Sequence, residues 1–447
     1  MTNIRFGTDG IRGQVGTWPI VHEAFNCLGQ ACYAWVKQKN WPTSVAIGWD
    51  TRASGRELAE SFAQGFLSCG EAKLSFLNVT PTPAIAYFVE KEGLSLGVSI
   101  TASHNPSTDN GLKLFQRGGH KLCRADEALI ETLAKQFSPN NLPVLNNVRE
   151  VDGSSYYVDA LRTEYSNLNF ANKTIVLDTA NGATAFTSLP YLRSLGLNVI
   201  ALGDAPDGRN INEDCGSEHT DHLLRKVIES GAWLGIAHDG DGDRIVVIDE
   251  QGERLDGDQV LGMLALDFLE QNRLNPKYIV LTEQSNSGLD STLAAYGIQT
   301  TRTDVGDREV FYGMLKQGAR LGGESSGHII LRDQANTGDG LRVALLLMQM
   351  ALKKPLCERK KQIHLKEKLE QSLRVSAKIP LSSMRHTLDF KRSCEKDEVR
   401  MCVRFSGTEN KLRFLVEAGT AEKCQQILEA WLLEAKRDFQ EHGIVVK

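Results

Sequence analysis

Short apolar runs alternate with amphipathic stretches along most of the chain. Three runs share one form: VAIGWDTRASG begins at Val45, IVLDTANGATA at Ile175 and IVLTEQSNSGL at Ile279. Each starts with β-branched residues and continues into a polar loop, a glycine and a stretch of helical spacing, which predicts strand, turn and helix. This weak self-similarity indicates three related α/β domains in tandem.

Helical spacing of apolar residues recurs between the predicted strands. It is found in RELAESFAQGFLSCG from Arg56, in TDHLLRKVIESG from Thr220 and in GDGLRVALLLMQMALKK from Gly338. Thr220 is a candidate helix cap and Gly231 a candidate stop signal. Alternating strands and helices favour α/β layers with mostly parallel sheets.

Polar or charged segments at 138–150, 254–258 and 357–370 divide these patterns. We therefore predict α/β domains at 1–150, 151–255 and 256–370. A smaller α+β domain is expected at 371–447, where MCVRFSGTENKLRFLVEAG precedes a further helix. A chain of 447 residues is too long for one core, which agrees with this division.

Composition narrows the class of protein. The net charge of -5 argues against nucleic-acid binding, although a local cluster of arginine and lysine could still bind a small anion. The nine cysteines include no C-x-x-C pair, so we expect neither a disulfide framework nor structural zinc, and a reducing cytoplasm fits best. No signal peptide or membrane span is predicted, because the N-terminus is polar and no long apolar run occurs.

DGDGDR, at 239–244, is the strongest chemical signal in the chain. Asp239, Asp241 and Asp243 alternate with glycines between two apolar runs. Glycines let the loop turn tightly, and converging carboxylate oxygens suit Mg²⁺ or another hard cation. An EF-hand is disfavoured because Arg244 stands where that loop needs glycine and because the flanks read as strands. A solvated acidic hairpin is the remaining alternative, and we interpret His238 as a packing residue.

TASHNP, at 101–106, places a serine beside a histidine after an apolar strand. Three interpretations are open for Ser103: a hydrolase nucleophile, a turn cap, or a residue that carries a phosphoryl group. The first is disfavoured because adjacent residues do not easily form a serine–histidine catalytic hydrogen bond and because no G-x-S-x-G elbow is present. The third needs a metal and nearby cations, for which DGDGDR, Lys113 and Arg12 are candidates.

Two further loops carry polar groups at glycine-rich turns. GGESSGH, at 322–328, offers Glu324, Ser326 and His328 as partners for sugar hydroxyls. RFSGTENKLR, at 404–413, offers arginines and hydroxyls that could surround a phosphate. Ordinary solvated turns are the alternative for both.

Taken in order, TASHNP, DGDGDR, GGESSGH and RFSGTEN resemble the loops of the α-D-phosphohexomutase superfamily, over nearly the whole chain. FGTDGIRG at 6–13, PDGRNINEDCGSEHT from Pro206, LDGDQ at Leu255, VGDREV at Val305 and NTGDG at Asn336 are similar to its bacterial phosphoglucosamine mutase branch. The resemblance implies three α/β domains with mixed sheets and a C-terminal α+β domain around a central cleft, each supplying one loop.

The resemblance also implies a role for each site residue. Ser103 would be the phosphorylated serine. One Mg²⁺ per chain would bind a phosphoserine oxygen together with Asp239, Asp241 and Asp243. The transferred phosphoryl group would be surrounded by Arg12, His104, Lys113 and Arg244, with Lys113 as the proton-transfer partner. Sugar hydroxyls would be held by Glu324, Ser326 and His328. The phosphate that does not react would be bound by Arg404, Ser406, Gly407, Thr408 and Arg413.

The implied reaction interconverts glucosamine 6-phosphate and glucosamine 1-phosphate through glucosamine 1,6-bisphosphate, with a hexosamine 1,6-bisphosphate as activator. Its product would feed the synthesis of UDP-N-acetylglucosamine. The alternatives are a phosphomannomutase or phosphoglucomutase, and a non-catalytic phosphosugar-binding regulator. The expected binding partner is a small phosphosugar substrate, and the chain could form a homodimer. We expect it to bind neither nucleic acid nor a membrane.

The chain departs from the branch at four positions. Thr101 replaces a usual serine, Ser325 a usual glutamine or asparagine, and Phe405 and Asn410 replace usual prolines. Loss of two prolines should leave the last loop less fixed in φ. These departures bear on affinity and sugar preference, since every predicted metal and phosphoserine position is retained.

Overall fold

The computed structural model describes residues 4–140, 145, 148–394, 399–406 and 410–446. Within these residues the chain forms four sheets, which follow one another along the sequence. Three sheets mix parallel and antiparallel pairs and are covered by helices, and the fourth is antiparallel. The predicted fold class of three α/β domains followed by an α+β domain is confirmed. The exact domain boundaries stay predictions.

The first sheet runs in the order β1-β5-β4-β2-β3-β7, with β6 paired to β5. Its strands are β1 Ile11–Gln14, β2 Ser44–Trp49, β3 Lys73–Val79, β4 Leu96–Ile100, β5 Asp109–Gln116, β6 His120–Lys121 and β7 Arg149–Glu150. Its helices are α1 His22–Gln38, α2 Gly55–Ser68, α3 Thr82–Lys91 and α4 Arg124–Ala134.

The second sheet runs in the order β12-β11-β10-β8-β9. Its strands are β8 Thr174–Asp178, β9 Asn198–Leu202, β10 Leu234–His238, β11 Ile245–Ile248 and β12 Arg254–Leu255. Around it lie α5 Gly153–Glu164, the 3-10 turn Ala183–Phe186, α6 Ser188–Ser194 and α7 Asp221–Ser230.

The third sheet runs in the order β14-β13-β15-β16, and the fourth in the order β17-β19-β18. The third domain contains α8 Gly257–Glu270, β13 Tyr278–Thr282, α9 Ser287–Ala295, β14 Gln299–Thr303, α10 Asp307–Gln317, β15 Leu321–Gly323, β16 Ile329–Leu331, α11 Gly340–Lys353, α12 Leu356–Arg359 and the 3-10 turn Lys360–Gln362. The fourth contains β17 Glu367–Arg374, the 3-10 turn Leu381–Ser383, α13 Arg385–Cys394, β18 Arg400–Phe405, β19 Lys411–Ala418 and α14 Ala421–Glu441.

Helix ends follow the signals in the sequence. Helix α7 stops at Gly231, whose φ of 61° is left-handed, and Thr220 stands at its start without a side-chain capping bond. Helix α11 begins at Asp339, whose side chain accepts a hydrogen bond from the Arg342 amide. Among the helices of the described ranges, none has the length and apolar character needed to cross a bilayer.

The first three sheets share one arrangement. In each, three parallel strands are followed by an antiparallel one: β3-β2-β4 then β5, β9-β8-β10 then β11, and β14-β13-β15 then β16. The turn between the last parallel strand and its antiparallel neighbour carries TASHNP, DGDGDR and GGESSGH respectively. The three self-similar runs of the sequence form β2, β8 and β13, each of which is the central one of the three parallel strands in its sheet.

The apolar core is not divided in the same way as the sheets. One continuous cluster joins strand residues of the second domain, such as Leu177 and Ile236, to helix residues of the third, such as Leu264 and Leu345. The first domain has a core of its own, and so does the fourth, where Trp431 and Phe414 are fully enclosed. The second and third domains are therefore packed as one body.

Helices α1 and α2 approach so closely that glycine is required at their contact. A Cβ at Gly65 would lie 2.0 Å from the carbonyl oxygen of Asn26, and one at Gly29 would lie 2.1 Å from that of Phe62. We expect Gly65→Ala to lower the free energy of unfolding by about 1–3 kcal/mol, because backbone must move to make room. Chemical denaturation measures this, with Gly419→Ala as control, since nothing lies within 4 Å of a Cβ there. Equal stability of the two variants would contradict the close approach.

Candidate active site

Ser103 lies in the turn between β4 and β5 and is almost completely buried. Its φ is 53°, a left-handed conformation that costs a residue with a side chain about 1–2 kcal/mol. Its hydroxyl lies 2.5 Å from Oδ2 of Asp239, 136 residues further along the chain. The structure thus brings the serine loop against the acidic loop, as the sequence analysis requires of a phosphoryl carrier.

His104 approaches Ser103 more closely than we expected from the sequence. Its Nδ1 lies 3.3 Å from the Ser103 hydroxyl, because the left-handed backbone at Ser103 turns the two neighbouring side chains together. Burial, followed by the charges of Arg244 and Arg12, lowers the pKa of His104 to about 2. An imidazole with so low a pKa is a poor general base, so the contact does not favour hydrolysis.

The acidic loop joins β10 to β11, two antiparallel strands, which excludes the helical flanks of an EF-hand. Asp239, Asp241 and Asp243 are at most 2% exposed, so the solvated hairpin is excluded as well. One oxygen from each of the three lies within 4.8 Å of the others. Among the described residues, the buried Oδ1 of Asp241 has no hydrogen-bond donor, and that of Asp243 has only His328 Nδ1 nearby, 3.5 Å away. Clustered hard oxygens that lack donors fit a divalent cation.

The pKa of Asp239 is a second indication of a cation at the acidic loop. Burial and the charges of Asp243 and Asp241 raise the pKa of Asp239 to about 8. Three carboxylates repel each other in a buried place unless positive charge lies among them. Lys113 and Arg244 supply part of that charge, and a metal ion ligated by these oxygens would supply more.

Lys113 projects from β5 into the acidic loop. Its Nζ lies 2.8 Å from Oδ2 of Asp241, 2.5 Å from Oδ2 of Asp243 and 3.1 Å from Oδ2 of Asp9. Burial alone would lower the pKa of Lys113, but these three carboxylates raise it well above its ordinary value. Lys113 is therefore a charged group at the acidic loop, and its role in proton transfer stays a prediction.

Asp9 is a site residue that the sequence analysis missed. It forms ion pairs with Lys113, Arg12 and Lys121, and those cations hold its pKa well below the ordinary value despite burial. Lys121 in turn lies 2.9 Å from Asp307 at the start of α10. Asp9 stands in FGTDGIRG, beside Arg12, and its position in that motif was the available signal.

Arg244 and His328 connect the acidic loop to the sugar loop. The two residues pair as an isolated β-bridge, and the Arg244 amide donates to Oδ1 of Asp239 at 3.2 Å. His328 Nδ1 lies 3.5 Å from Oδ1 of Asp243, while its Nε2 accepts a hydrogen bond from the Gly338 amide at 3.0 Å. The turn of the third domain is thereby held against that of the second.

Glu324 and Ser326 lie at the same turn. Glu324 is half-buried, and its Oε1 accepts a hydrogen bond from the Gly306 amide at 2.9 Å. Burial raises the pKa of Glu324, against the charges of His328 and Arg244. Ser326 is exposed, so its hydroxyl is accessible to a ligand. Both positions remain predicted contacts for sugar hydroxyls.

Arg404 and Arg413 lie opposite each other on β18 and β19. They line a cavity of about 460 Å³ that also borders the third domain at Asp304 and Val305. Burial and the neighbouring charge of Arg413 lower the pKa of Arg404, and the Nε of Arg404 is buried without a hydrogen-bond acceptor among the described residues. The cavity is also lined by the acidic residues Glu283, Asp304 and Glu370. The paired arginines therefore form a positive face on one side of it, which suits an anionic ligand there.

The other members of the predicted phosphate loop are described only in part. Ser406 is buried, its amide donates to the carbonyl oxygen of Lys411 at 2.8 Å, and its carbonyl accepts from Lys378. Gly407 and Thr408 lie outside the described residues. Their predicted role stays a prediction.

His238, interpreted as a packing residue, is completely buried. Its Nε2 lies 3.1 Å from the Ser188 hydroxyl and its Nδ1 3.1 Å from the carbonyl oxygen of Arg244. Burial lowers its pKa to about 4. Both ring nitrogens are thus used to support the acidic loop from behind.

Thr82, Arg52 and Asn212 also touch the site and were not singled out from the sequence. Thr82, at the start of α3, donates a hydrogen bond to Oδ2 of Asp241 at 2.5 Å. Arg52 and Asn212 contact the backbone of the serine loop. The polar turn GWDTRASG after β2 was the signal for Arg52, since the ends of neighbouring parallel strands meet at one edge of a sheet.

Three family models match the chain in order. They are described as Phosphoglucomutase/phosphomannomutase, alpha/beta/alpha domain I, II and III, and they match residues 3–140, 155–252 and 256–370.

Curated relatives are similar over nearly the full length. The chain is 37% identical to the phosphoglucosamine mutase of Carboxydothermus hydrogenoformans, over 95% of this chain and 97% of that protein. It is 39% identical to the phosphoglucosamine mutase of Brucella anthropi, over 95% of this chain and 96% of that protein.

Solved structures share the fold. A phosphoglucomutase/phosphomannomutase family protein from Burkholderia thailandensis superposes with a TM-score of 0.81 at 20% identity, covering 100% of this chain and 99% of that one. The N-acetylphosphoglucosamine mutase of Aspergillus fumigatus superposes with a TM-score of 0.66 at 15% identity, covering 98% and 96%. At these identities the likeness concerns the fold.

Proposed function

We propose that this chain, which belongs to the phosphoglucosamine mutase branch of the phosphoglucomutase/phosphomannomutase family, interconverts glucosamine 6-phosphate and glucosamine 1-phosphate. The observation that carries the proposal is the buried contact of 2.5 Å between the Ser103 hydroxyl and Asp239, with Lys113 bound to Asp241 and Asp243 in the same cluster. A serine placed among three carboxylates and a lysine suits the carriage of a phosphoryl group.

Ser103 would hold the phosphoryl group between turnovers. In transfer to the sugar, the bond from phosphorus to Ser103 Oγ breaks, a bond to the sugar hydroxyl oxygen forms, and the hydroxyl proton replaces the phosphoryl group on the serine. Lys113 holds a proton within the cluster and is the proposed proton-transfer partner, although Asp241, Asp243 and Asp9 raise its pKa well above the ordinary value and so hold that proton tightly. The positive charges of Arg12, Arg244 and Lys113 would stabilise negative charge on the transferred group.

Asp239, Asp241 and Asp243 would hold Mg²⁺, with an oxygen of the phosphorylated Ser103 completing the set. Their clustered, buried oxygens fit such an ion. When bound, the ion supplies neutralisation of charge on the phosphoryl oxygens.

The two arginines of the 460 Å³ cavity would bind the phosphate that does not react. Because the substrate carries phosphate at either C1 or C6, a 1,6-bisphosphate must be able to present each end to Ser103. Glu324, Ser326 and His328 would contact the hydroxyls of the ring between these two anion sites. A site with an anion pocket apart from the serine therefore supports a mutase rather than a phosphatase.

Turnover of matched substrates tests the assignment. We expect kcat/KM for glucosamine 6-phosphate to exceed that for glucose 6-phosphate and mannose 6-phosphate by at least about 10-fold, since a missing or misplaced polar group leaves site groups unpaired. Activity is measured with Mg²⁺ and a catalytic amount of glucosamine 1,6-bisphosphate. A preference for mannose or glucose phosphates would replace this function by the phosphomannomutase or phosphoglucomutase alternative. Binding without turnover of any of the three would support the non-catalytic regulator.

The assembly and the cellular compartment stay predictions from the sequence. A homodimer is tested by light scattering of the purified chain at several concentrations. The cytoplasmic location is tested by fractionation of cells that express it.

A further inference from the structure

We propose that Arg52 is a positioning residue for phosphoryl transfer and that Asn212 performs the same task from the second domain. Together they donate hydrogen bonds to backbone carbonyl oxygens of the serine loop. They thereby hold Ser103 in the left-handed conformation that places its hydroxyl against the carboxylate of Asp239. The inference rests on the function proposed above, because it concerns how Ser103 is presented for that reaction.

Arg52 is buried in the turn after β2, and its side chain is 0% exposed. Its Nη2 donates to the carbonyl oxygens of Ser103 at 3.1 Å and of Asn105 at 2.7 Å. Its Nη1 donates to the carbonyl oxygens of Pro106 and, at 2.8 Å, of Asp109. One guanidinium therefore binds four carbonyl groups of the loop, which is beyond the reach of a lysine ammonium in a fixed geometry.

Asp50 links Arg52 to Thr101, and through Thr101 to the amide of Ser103, by a chain of hydrogen bonds. Arg52 Nε lies 2.9 Å from Oδ2 of Asp50, and the Thr101 hydroxyl donates to the same oxygen at 2.6 Å. The Thr101 hydroxyl in turn accepts the Ser103 amide at 2.9 Å. The N–H and the C=O of Ser103 are thus both tied, by different routes, to one buried carboxylate. This chain of bonds also explains why a hydroxyl is kept at Thr101.

Asn212 reaches the same carbonyl groups from the second domain. Its Nδ2 donates to the carbonyl oxygen of Ser103 at 2.8 Å and to that of Asn105 at 2.9 Å. The Ser103 carbonyl therefore receives two donors, the number its lone pairs allow. Asn212 belongs to the segment PDGRNINEDCGSEHT, whose Glu218 also pairs with Arg244 at 3.4 Å.

Two physical consequences follow for transfer. The left-handed φ of Ser103 is unfavourable and persists only where surrounding bonds determine it, which these donors do. In addition, carbonyl oxygens would repel the oxygens of a phosphoryl group. Arg52 binds the carbonyl oxygens of Ser103, Asn105, Pro106 and Asp109. Arg52 and Asn212 touch neither the hydroxyl nor the acidic loop carboxylates in these contacts, so they act through the placement of Ser103.

The test compares Arg52→Lys and Asn212→Ala with wild type. For Arg52→Lys we expect kcat to fall about 100-fold, the effect of misplacing a reacting group by about 1 Å. For Asn212→Ala we expect a smaller fall, of about 10-fold, because the two hydrogen bonds of Asn212 are lost while those of Arg52 to the same loop remain. KM for glucosamine 6-phosphate should stay within about twofold, because the groups proposed to bind sugar and free phosphate are unchanged.

Controls separate positioning from general stability. Arg359→Lys changes another buried arginine, which lies at α12 near Asp267 and away from the serine loop, and its kcat should equal that of wild type. Glucosamine 1,6-bisphosphate should phosphorylate Ser103, and mass spectrometry of the intact protein gives the rate. In Arg52→Lys this rate should fall by the same factor as kcat. The rate of backbone amide hydrogen exchange at residues 103–109 should rise in both test variants. This measurement is made without substrate, so it does not depend on the proposed activity.

The outcomes are distinguishable. Wild-type kcat with unchanged exchange at 103–109 in both folded variants would overturn the inference and leave the proposed function intact. An inactive wild type would overturn the proposed function, and exchange in the variants would still decide whether these residues hold the loop. If Arg52→Lys does not fold, Asn212→Ala decides by the same measurements.

Discussion

Replacement of Ser103 by alanine is expected to reduce mutase activity at least about 10⁴-fold, since removal of a catalytic nucleophile leaves only the contributions of binding and electrostatics. The Ser103 hydroxyl is the one enzyme group that carries the phosphoryl group in the proposed reaction, and it lies 2.5 Å from Asp239. Activity is measured by coupled assay, and intact mass is measured after incubation with glucosamine 1,6-bisphosphate. The wild type should gain one phosphate and Ser103→Ala none.

A second serine provides the matched control. Ser154 is also buried, and its hydroxyl donates to the carbonyl oxygen of Val79 at 2.8 Å, outside the site. Ser154→Ala should keep both the activity and the phosphate. Full activity of Ser103→Ala, or phosphate mapped to another residue, would remove the phosphoserine mechanism.

Replacement of Asp241 by asparagine should abolish high-affinity Mg²⁺ binding and lower kcat by about 10²–10³-fold, the range seen when one electrostatic stabiliser of a transition state is removed. Asparagine keeps the size of the side chain and an oxygen, but removes the charge that Lys113 and a cation both need. Calorimetric titration with Mg²⁺ gives the affinity, and the steady-state assay at saturating Mg²⁺ gives kcat.

Asp249→Asn is the control for loss of a buried carboxylate in the same domain. Asp249 lies after β11, pairs with Lys360 at 2.5 Å and accepts hydrogen bonds from the amides of Gln251 and Glu253. This variant should lose stability while retaining Mg²⁺ binding. Undiminished Mg²⁺ affinity in Asp241→Asn would place the metal elsewhere.

Local sequence pattern was sufficient to predict the fold class and three of the loops, for a physical reason. A β-branched run, a polar turn and a helix recur because each domain repeats the same strand order, so the turn of each is visible without knowledge of the others. The alternation of carboxylates and glycines in DGDGDR likewise predicts clustered carboxylates from within six residues, and the structure brings them within 4.8 Å of one another.

Contacts between distant segments could not be predicted in this way. Arg52 lies 51 residues before Ser103, and Asn212 lies 109 residues after it. Asp9 reaches Lys113 only because β1 pairs with β5. Even the neighbouring pair Ser103 and His104 was misjudged, because the left-handed backbone that brings them together is imposed by Arg52 and Asn212 rather than by local sequence.

The single core shared by the second and third domains restricts which parts of the molecule can move. Packed side chains cannot slide past one another without losing contact, so the acidic loop and the sugar loop keep a fixed separation once the chain has folded. The fourth domain, with its own core, meets the third through contacts such as Arg400 with the carbonyl oxygen of Ser285. Under the proposed function, the residues that would hold the metal and the sugar ring therefore lie on one packed body, and we expect the domains with cores of their own to move when substrate enters or leaves.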